Sequence, residues 1–130
     1  MNKARVIVAG KRDADRDQSR ALLRRGFERQ GLMPGEIEAI ATGESGVVDG
    51  LGKLYAEYHG IRHEPFPADW DKYGKAAGPL RNAQMAKWAA GVEGGTLVAV
   101  WDGKSPGTQD MILNAHRHGL VVEVQLLVKP

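Results

Sequence analysis

Short apolar runs alternate along this chain with stretches of helical periodicity. Val6 to Ala9 and Thr96 to Trp101 are nearly continuous apolar runs, the pattern of central parallel strands covered on both faces. Glu36 to Ala41 and Ile61 to Phe66 are two further extended segments. Leu120 to Val128 alternates through Val122, Glu123, Val124, Gln125 and Leu126, which predicts an edge strand with one wet face. Helical patterns lie between them, over Ala14 to Gln30, Val47 to His59, about Leu80 to Ala90, and Thr108 to His118. Three helical patterns run into a glycine, at Gly31, Gly60 and Gly119. Glycine just past a helix end supplies the left-handed turn that closes it, and basic or His residues before it suit the negative helix end.

Regular alternation of strand and helix predicts an α/β fold. The expected form is a single-domain, Rossmann-like three-layer sandwich over residues 1–130, with a mostly parallel five-stranded sheet in the order 3-2-1-4-5. Right-handed crossovers fill one half of the sheet before the fourth strand returns beside the first. A crevice is then expected at the carboxyl ends of strands one and four, where such folds bind ligands. The loops landing there are "AGKRDAD" and "WDGKSPGT".

Composition narrows the function classes. A chain of 130 residues, 42% hydrophobic and 26% charged, is ordinary for a globular domain with a real core. No apolar run approaches the ~20 residues of a membrane span, so no membrane partner is expected. The start, "MNKARVIVAG", is charged too soon for a signal peptide, and a cytoplasmic location is expected. With no cysteine, disulfides and thiolate metal sites are excluded. A net charge of +2 argues against a nucleic-acid partner. Arg12, Arg16, Arg20 and Arg24 recur every four residues, but interleaved Asp13, Asp15, Asp17 and Glu28 read as a solvated face.

Three polar clusters carry candidate chemistry. Asp102 to Thr108 holds more turn residues than a plain turn needs. With a helix starting at Thr108, the amides of Gly107, Thr108 and Gln109 make an anion site. Gly103 and Gly107 let a ligand touch main chain, and Lys104, Ser105 and Thr108 add donors; simple capping by Ser105 or Thr108 is the alternative. In "ADWDKYGKAAGPLRNAQM", Pro79 suits a first helical turn, from which Arg81 and Asn82 project. Arg81 there suits a phosphate or carboxylate. Trp70 and Tyr73 offer flat faces for a base, although core packing explains them equally well. In "TGESGVVDG", Gly43 and Gly46 shape a turn, and Asp49 either favours the helix start or holds a ribose hydroxyl. Standard phosphate fingerprints are absent. Ser45 lacks a nucleophile-elbow context, since Val47 stands where that motif needs glycine. His116 and His118 diverge on a helix, and Gly60 separates His59 from His63, so no metal site is expected.

"VIVAGKRD", "TGESGVVD", "ADWDKYGKAAGPLRN" and "WDGKSPGT", in this order, resemble the small YspA/YpsA-related branch of the SLOG superfamily, found in bacteria and phages. The most specific pattern is W-x-x-x-G-K-x-A-G-P-x-R-N, starting at Trp70. The resemblance spans nearly the whole chain and implies a Rossmann-like domain that binds nucleotides or ADP-ribose-like ligands. The implied ligand-binding residues are Gly10, Lys11, Arg12, Gly43, Ser45, Gly46, Asp49, Trp70, Lys75, Gly78, Arg81, Asn82, Asp102, Gly103, Lys104, Ser105, Gly107 and Thr108. Related Lonely-guy hydrolases cleave N-glycosidic bonds and carry P-G-G-x-G-T-x-x-E. Here Met111 stands where that glutamate would be, with Asp110 about 100° away around the helix. Thr42 and Val48 replace smaller residues usual in the branch, and "AAGVEGG" lacks its aspartate. The expectation is therefore a binding module, acting as sensor, carrier or sequestering protein, with no required cofactor and a homo-oligomeric state. The alternative is a phosphoribohydrolase-like enzyme with Arg81, Asp110 and Glu44 as candidate catalytic residues. A nucleic-acid processing factor is a third reading.

Overall fold

The computed structural model describes residues 3–128. Five strands, β1 (Ala4–Gly10), β2 (Ile37–Thr42), β3 (Arg62–Pro65), β4 (Thr96–Trp101) and β5 (Val121–Leu126), form one sheet in the order β3-β2-β1-β4-β5. Every neighbouring pair is parallel. The helices are α1 (Arg16–Arg29), α2 (Val47–Tyr58), α3 (Trp70–Tyr73), α4 (Ala77–Ala89) and α5 (Pro106–Arg117). The α/β class and the strand order both agree with the alternation in the sequence.

The continuous apolar runs work because successive side chains leave a strand on opposite faces. Val6 and Val8 of β1 pack with Leu23 and Phe27 of α1 and with Val48, Leu51 and Ala56 of α2. Ile7 and Ala9 pack instead with Met85, Ala86 and Ala89 of α4 and with Met111 and Ala115 of α5. Val6, Ile7 and Val8 are all fully buried. At roughly 1.5–3 kcal/mol for each fully buried aliphatic side chain, β1 pins the two outer layers to the sheet.

Local signals set the helix ends. Asp15 caps α1 by accepting the Gln18 amide at 2.8 Å. Beyond α1, α2 and α5, Gly31, Gly60 and Gly119 adopt φ of +62°, +65° and +73°. The next amide then bonds back into the last turn, as in Leu32 to the Phe27 carbonyl, Ile61 to Ala56 and Leu120 to Ala115, at 2.8–3.0 Å.

Several boundaries differ from the sequence expectation. Helix α1 starts at Arg16, after its cap, and Glu36 belongs to a 3-10 turn (Pro34–Glu36) ahead of β2. Helix α4 starts at Ala77 rather than near Leu80, and α5 at Pro106 rather than Thr108. Proline is tolerated throughout a first helical turn, whose N–H groups lack helical partners, so Pro79 and Pro106 lie inside their helices. The short helix α3 had no periodic signal to announce it.

The wet face expected on β5 is a correction: its polar side chains are the buried ones. Glu123 and Gln125 are each 7% exposed, whereas Val121 is 46% and Leu126 57% exposed. Helix α1 covers the polar face. The Glu123 carboxylate accepts from Gln30 at 2.7 Å, Gln125 at 2.7 Å and Arg29 at 3.2 Å. Burial pushes its pKa up, but those donors and the Arg29 charge outweigh it and hold the group below its ordinary value. Gly26 lets α1 approach this closely, because a Cβ there would stand 2.8 Å from Val98 Cγ1.

Candidate functional site

Strands β1 and β4 lie side by side and send α1 and α5 to opposite faces, so a crevice opens at their carboxyl ends. The Lys11 amide donates to the Val100 carbonyl at 3.2 Å and holds the post-β1 loop against β4. The crevice encloses about 280 Å³. Gly10, Lys11 and Arg12 line one side, Ser105, Gly107 and Thr108 another, and Gly43, Ser45, Asp49, Arg81 and Asn82 the remainder. The two loops expected at this edge do adjoin there.

The loop between β2 and α2 is fastened to its neighbours. The Val47 amide donates to the Arg12 carbonyl at 2.9 Å, and Arg12 Nε donates to Ser45 Oγ at 3.0 Å. Gly46 has φ +96°, and a Cβ there would stand 2.5 Å from the Arg12 carbonyl oxygen, so only glycine fits. Within the loop, the Ser45 amide donates to Asp49 Oδ2 at 2.9 Å. Burial pushes the Asp49 carboxyl pKa up to about 6, against the pull of the Ser45 and Gly43 amides and the Arg81 charge. A buried carboxyl in a cleft, poised near neutral pH, has the profile of a functional group.

Arg81 projects from the second turn of α4. Its Nη1 donates to the Gly43 carbonyl at 2.5 Å, and its Nε donates to Asn82 Oδ1 at 2.9 Å. Burial pulls its pKa below the ordinary value, opposed by Asp49, yet a guanidinium stays charged throughout. Among the described residues no hydrogen bond engages its Nη2.

Asn82 ties α4 to the start of α5. Its Nδ2 donates to the Gly107 carbonyl at 3.3 Å and to Asp110 Oδ2 at 2.9 Å. Ser105 is the N-cap of α5 but makes no side-chain capping bond, and Pro106 brings no N–H. The Gly107 and Thr108 amides at this crevice wall therefore lack a capping side chain, and the helix dipole adds positive potential. Capping by Ser105, the alternative reading of the turn, does not occur. The preceding loop is held by Asp102, whose carboxylate accepts the Lys104 amide at 2.9 Å and the Ser105 amide at 2.7 Å. Those bonds hold its pKa at about 2.

Arg12, Arg81 and Lys11 face Asp13 and Asp49 in the crevice, so its balance favours an anion. The Lys11–Asp13 pair, 2.5 Å apart, leaves Asp13 83% exposed and contributes little. Of the residues expected to bind ligand, Gly46, Trp70, Lys75, Gly78, Asp102, Gly103 and Lys104 do not line the crevice. Gly46 shapes the loop, and Asp102 and Gly103 shape the turn, with Gly103 at φ +81°. Trp70 is 50% exposed on α3, its ring against Gly78. Lys75 and Lys104 are exposed.

The three catalytic candidates separate. Arg81 lines the crevice. Asp110 does not; its Oδ2 accepts from both Asn82 and Asn114. Glu44 faces a neighbouring cleft of about 180 Å³, 3.6 Å from His63 Nε2. Met111 is 1% exposed, in the core. Sequence reasoning missed Asp13 and Met85 in the lining, and the bond between His63 Nε2 and Thr42 Oγ1 at 2.8 Å. Only the pairing of β3 with β2 brings the last two together. Among the described residues, no group of three or more His, Asp or Glu is arranged to hold a metal, and no helix is long and apolar enough to cross a membrane. No protein-family model, curated protein or solved structure matches this chain.

Proposed function

We propose that this protein binds a nucleotide or a nucleotide-derived, ADP-ribose-like molecule in the crevice between β1 and β4, as a sensor, carrier or sequestering module. One observation carries the reading: the Arg81 guanidinium and the uncapped Gly107 and Thr108 amides converge on one crevice at the switch point of a parallel sheet. Arg81 supplies a charge-assisted donor at Nη2, its other nitrogens being held by Gly43 and Asn82, and a helix start supplies fixed amide donors; together they suit a phosphate. Membership in the YspA/YpsA-related branch of SLOG is part of this proposal and rests on the sequence motifs. A cytoplasmic homo-oligomer is proposed with it, motivated by the absence of cysteine and by Val121 and Leu126 exposed on the β5 edge. Light scattering on the purified protein reads the oligomer, and a monomer at all concentrations removes it.

The test of binding is mass spectrometry of small molecules released from the purified protein, paired with thermal shifts in AMP and ADP-ribose. A phosphorylated nucleoside in the released fraction, or stabilisation by either compound, supports the proposal. A protein that carries neither and is stabilised by neither sinks it.

A glycosidic-bond hydrolase is the second reading. Asp49 favours it, as the buried carboxylate that shares the crevice with Arg81. Such cleavage needs charge stabilisation at an oxocarbenium-like centre, commonly from a carboxylate. In that reading Asp49, rather than Asp110, is the group to replace first.

A further inference from the structure

The segment after β2 turns alternate residues to opposite sides. Gly43 and Ser45 face the crevice, while Glu44 and Gly46 face the second cleft, of about 180 Å³. Ser45 and Asp49 line both, so the two spaces adjoin at these residues. Asp49 is 7% exposed. Lys53 lies one helical turn beyond it, on the same side of α2. Gly50 also lines the second cleft, and a Cβ there would meet nothing within 4 Å, so a larger side chain can be placed at its edge.

Size and chemistry both bear on how the two spaces are used. Sites for drug-sized ligands enclose about 300–1,000 Å³. The crevice, at about 280 Å³, stands at the lower edge of that range, and the second cleft adds about 180 Å³ directly beside it. The crevice presents cations and amides. The second cleft presents two carboxyl groups, Glu44 and Asp49, the Ser45 hydroxyl and a single cation, Lys53. A second phosphate is repelled by that pair of carboxylates, whereas the hydroxyls of a sugar donate to them and accept from Lys53.

We propose that the crevice and the second cleft form one two-armed site. Its ligand sets phosphate against Arg81 and the α5 start, crosses over Ser45, and places the vicinal hydroxyls of a further sugar against Glu44 and Asp49. The inference rests on the nucleotide-binding reading and selects within it: a nucleoside diphosphate carrying a terminal sugar, in preference to a plain nucleotide.

Isothermal titration of the full chain with AMP, ADP and ADP-ribose tests both levels separately. The expected result is that ADP-ribose binds at least about tenfold tighter than ADP. Gly50→Leu, which fills the cleft from a helical position with room for its Cβ, is expected to abolish that gain without weakening AMP. Leucine suits a helix better than glycine, so the variant is expected to fold. Glu44→Gln removes one acceptor charge without changing size, and is expected to reduce the gain several-fold. Two outcomes overturn the two-armed site while leaving phosphate binding intact: equal affinities for ADP and ADP-ribose, or a ribose-dependent gain that survives both variants. No binding of any of the three compounds overturns the nucleotide reading itself, and the second arm with it.

Discussion

The Arg81 guanidinium occupies the space that a side chain at Gly43 would need. Its Nη1 bonds the Gly43 carbonyl across 38 residues of sequence, and a Cβ at Gly43 would fall directly on it. The glycine and the arginine are thus one device: the missing side chain admits the guanidinium, which anchors the loop and brings its charge to the crevice. Gly43→Ala is therefore expected to displace Arg81 and weaken a phosphate-bearing ligand by about 1.5–3 kcal/mol, the scale of a hydrogen bond to a charged group. Titration with AMP reads the loss. Unchanged affinity removes Arg81 from the binding site.

Asp49 couples the crevice to pH. Burial raises its carboxyl from the ordinary 3.8 to about 6 in the folded protein. Between those values the folded state holds more protons than the unfolded chain. Its stabilising contribution is therefore complete below about pH 4 and is lost as pH rises through 6. A displacement of that size corresponds to about 3 kcal/mol. Asp49→Asn, which removes the titration and keeps the shape, is expected to narrow the stability difference between pH 4.5 and pH 7.5 relative to wild type. Urea unfolding at the two pH values measures it; parallel changes in both proteins would leave Asp49 without this role.

How far the fold and site were legible follows from the range over which each signal acts. The β1 and β4 runs and the glycine stops at Gly31, Gly60 and Gly119 depend on near neighbours, and the sequence shows them directly. The burial of Glu123 depends on Arg29 and Gln30, which lie 94 and 93 residues away. An alternating strand reads the same whether its polar face meets water or amide and guanidinium donors. The crevice loops were legible because glycine, lysine and arginine follow the strand ends directly. The double exposure of Asp49 and the service of Asp102 as a turn-former, rather than a ligand contact, emerge only from the packed loops.

Asp102 organises the turn before α5 through two amide bonds within three residues of its own position. Asp102→Ala releases the Lys104 and Ser105 amides, and hydrogen exchange over 103–108 is expected to accelerate while the core strands stay protected. The wild-type turn draws stability from the ionised carboxylate. That contribution is present above about pH 4 and is lost as pH falls toward 2, since the folded group titrates at about 2. Unaltered exchange in the variant would mean that the Trp101 indole, which donates to the Ser105 carbonyl at 3.1 Å, is sufficient to hold the turn.

Gly26 sets how closely α1 can lie on the sheet. Mid-helix glycine costs about 1 kcal/mol relative to alanine, so Gly26→Ala would be stabilising on propensity alone. Close packing argues the other way, because the new methyl would stand 2.8 Å from Val98 Cγ1. Overpacking costs about 1–3 kcal/mol, so net destabilisation is expected. It should also expose Glu123 and Gln125, whose cover is the same helix. Chemical denaturation reads the sign: a more stable variant would show that α1 can lift without loss.

Binder and enzyme are separated by what happens to the ligand. Met111 contributes its side chain to the core, and Asp110 is bonded by two amide groups away from the crevice. Neither supplies a carboxylate beside an anomeric carbon. Purified protein is therefore expected to leave AMP and ADP-ribose intact over hours while its melting temperature rises with one of them. Ligand at about 100 times its dissociation constant adds about 2.7 kcal/mol by mass action, worth several degrees for a domain of this size. Chromatography of the incubated nucleotide checks the first part and a thermal melt the second. The discriminating variant is Asp49→Asn, since Asp49 is the buried carboxylate in the crevice. Free base released at several turnovers per minute by wild type, and lost in that variant, would replace the binding module with a hydrolase whose carboxylate comes from α2. Release that persists in Asp49→Asn but is lost in Glu44→Gln would put the carboxylate on the loop after β2 instead. Only release that survives both variants would trace to a contaminating activity and leave the binding reading standing.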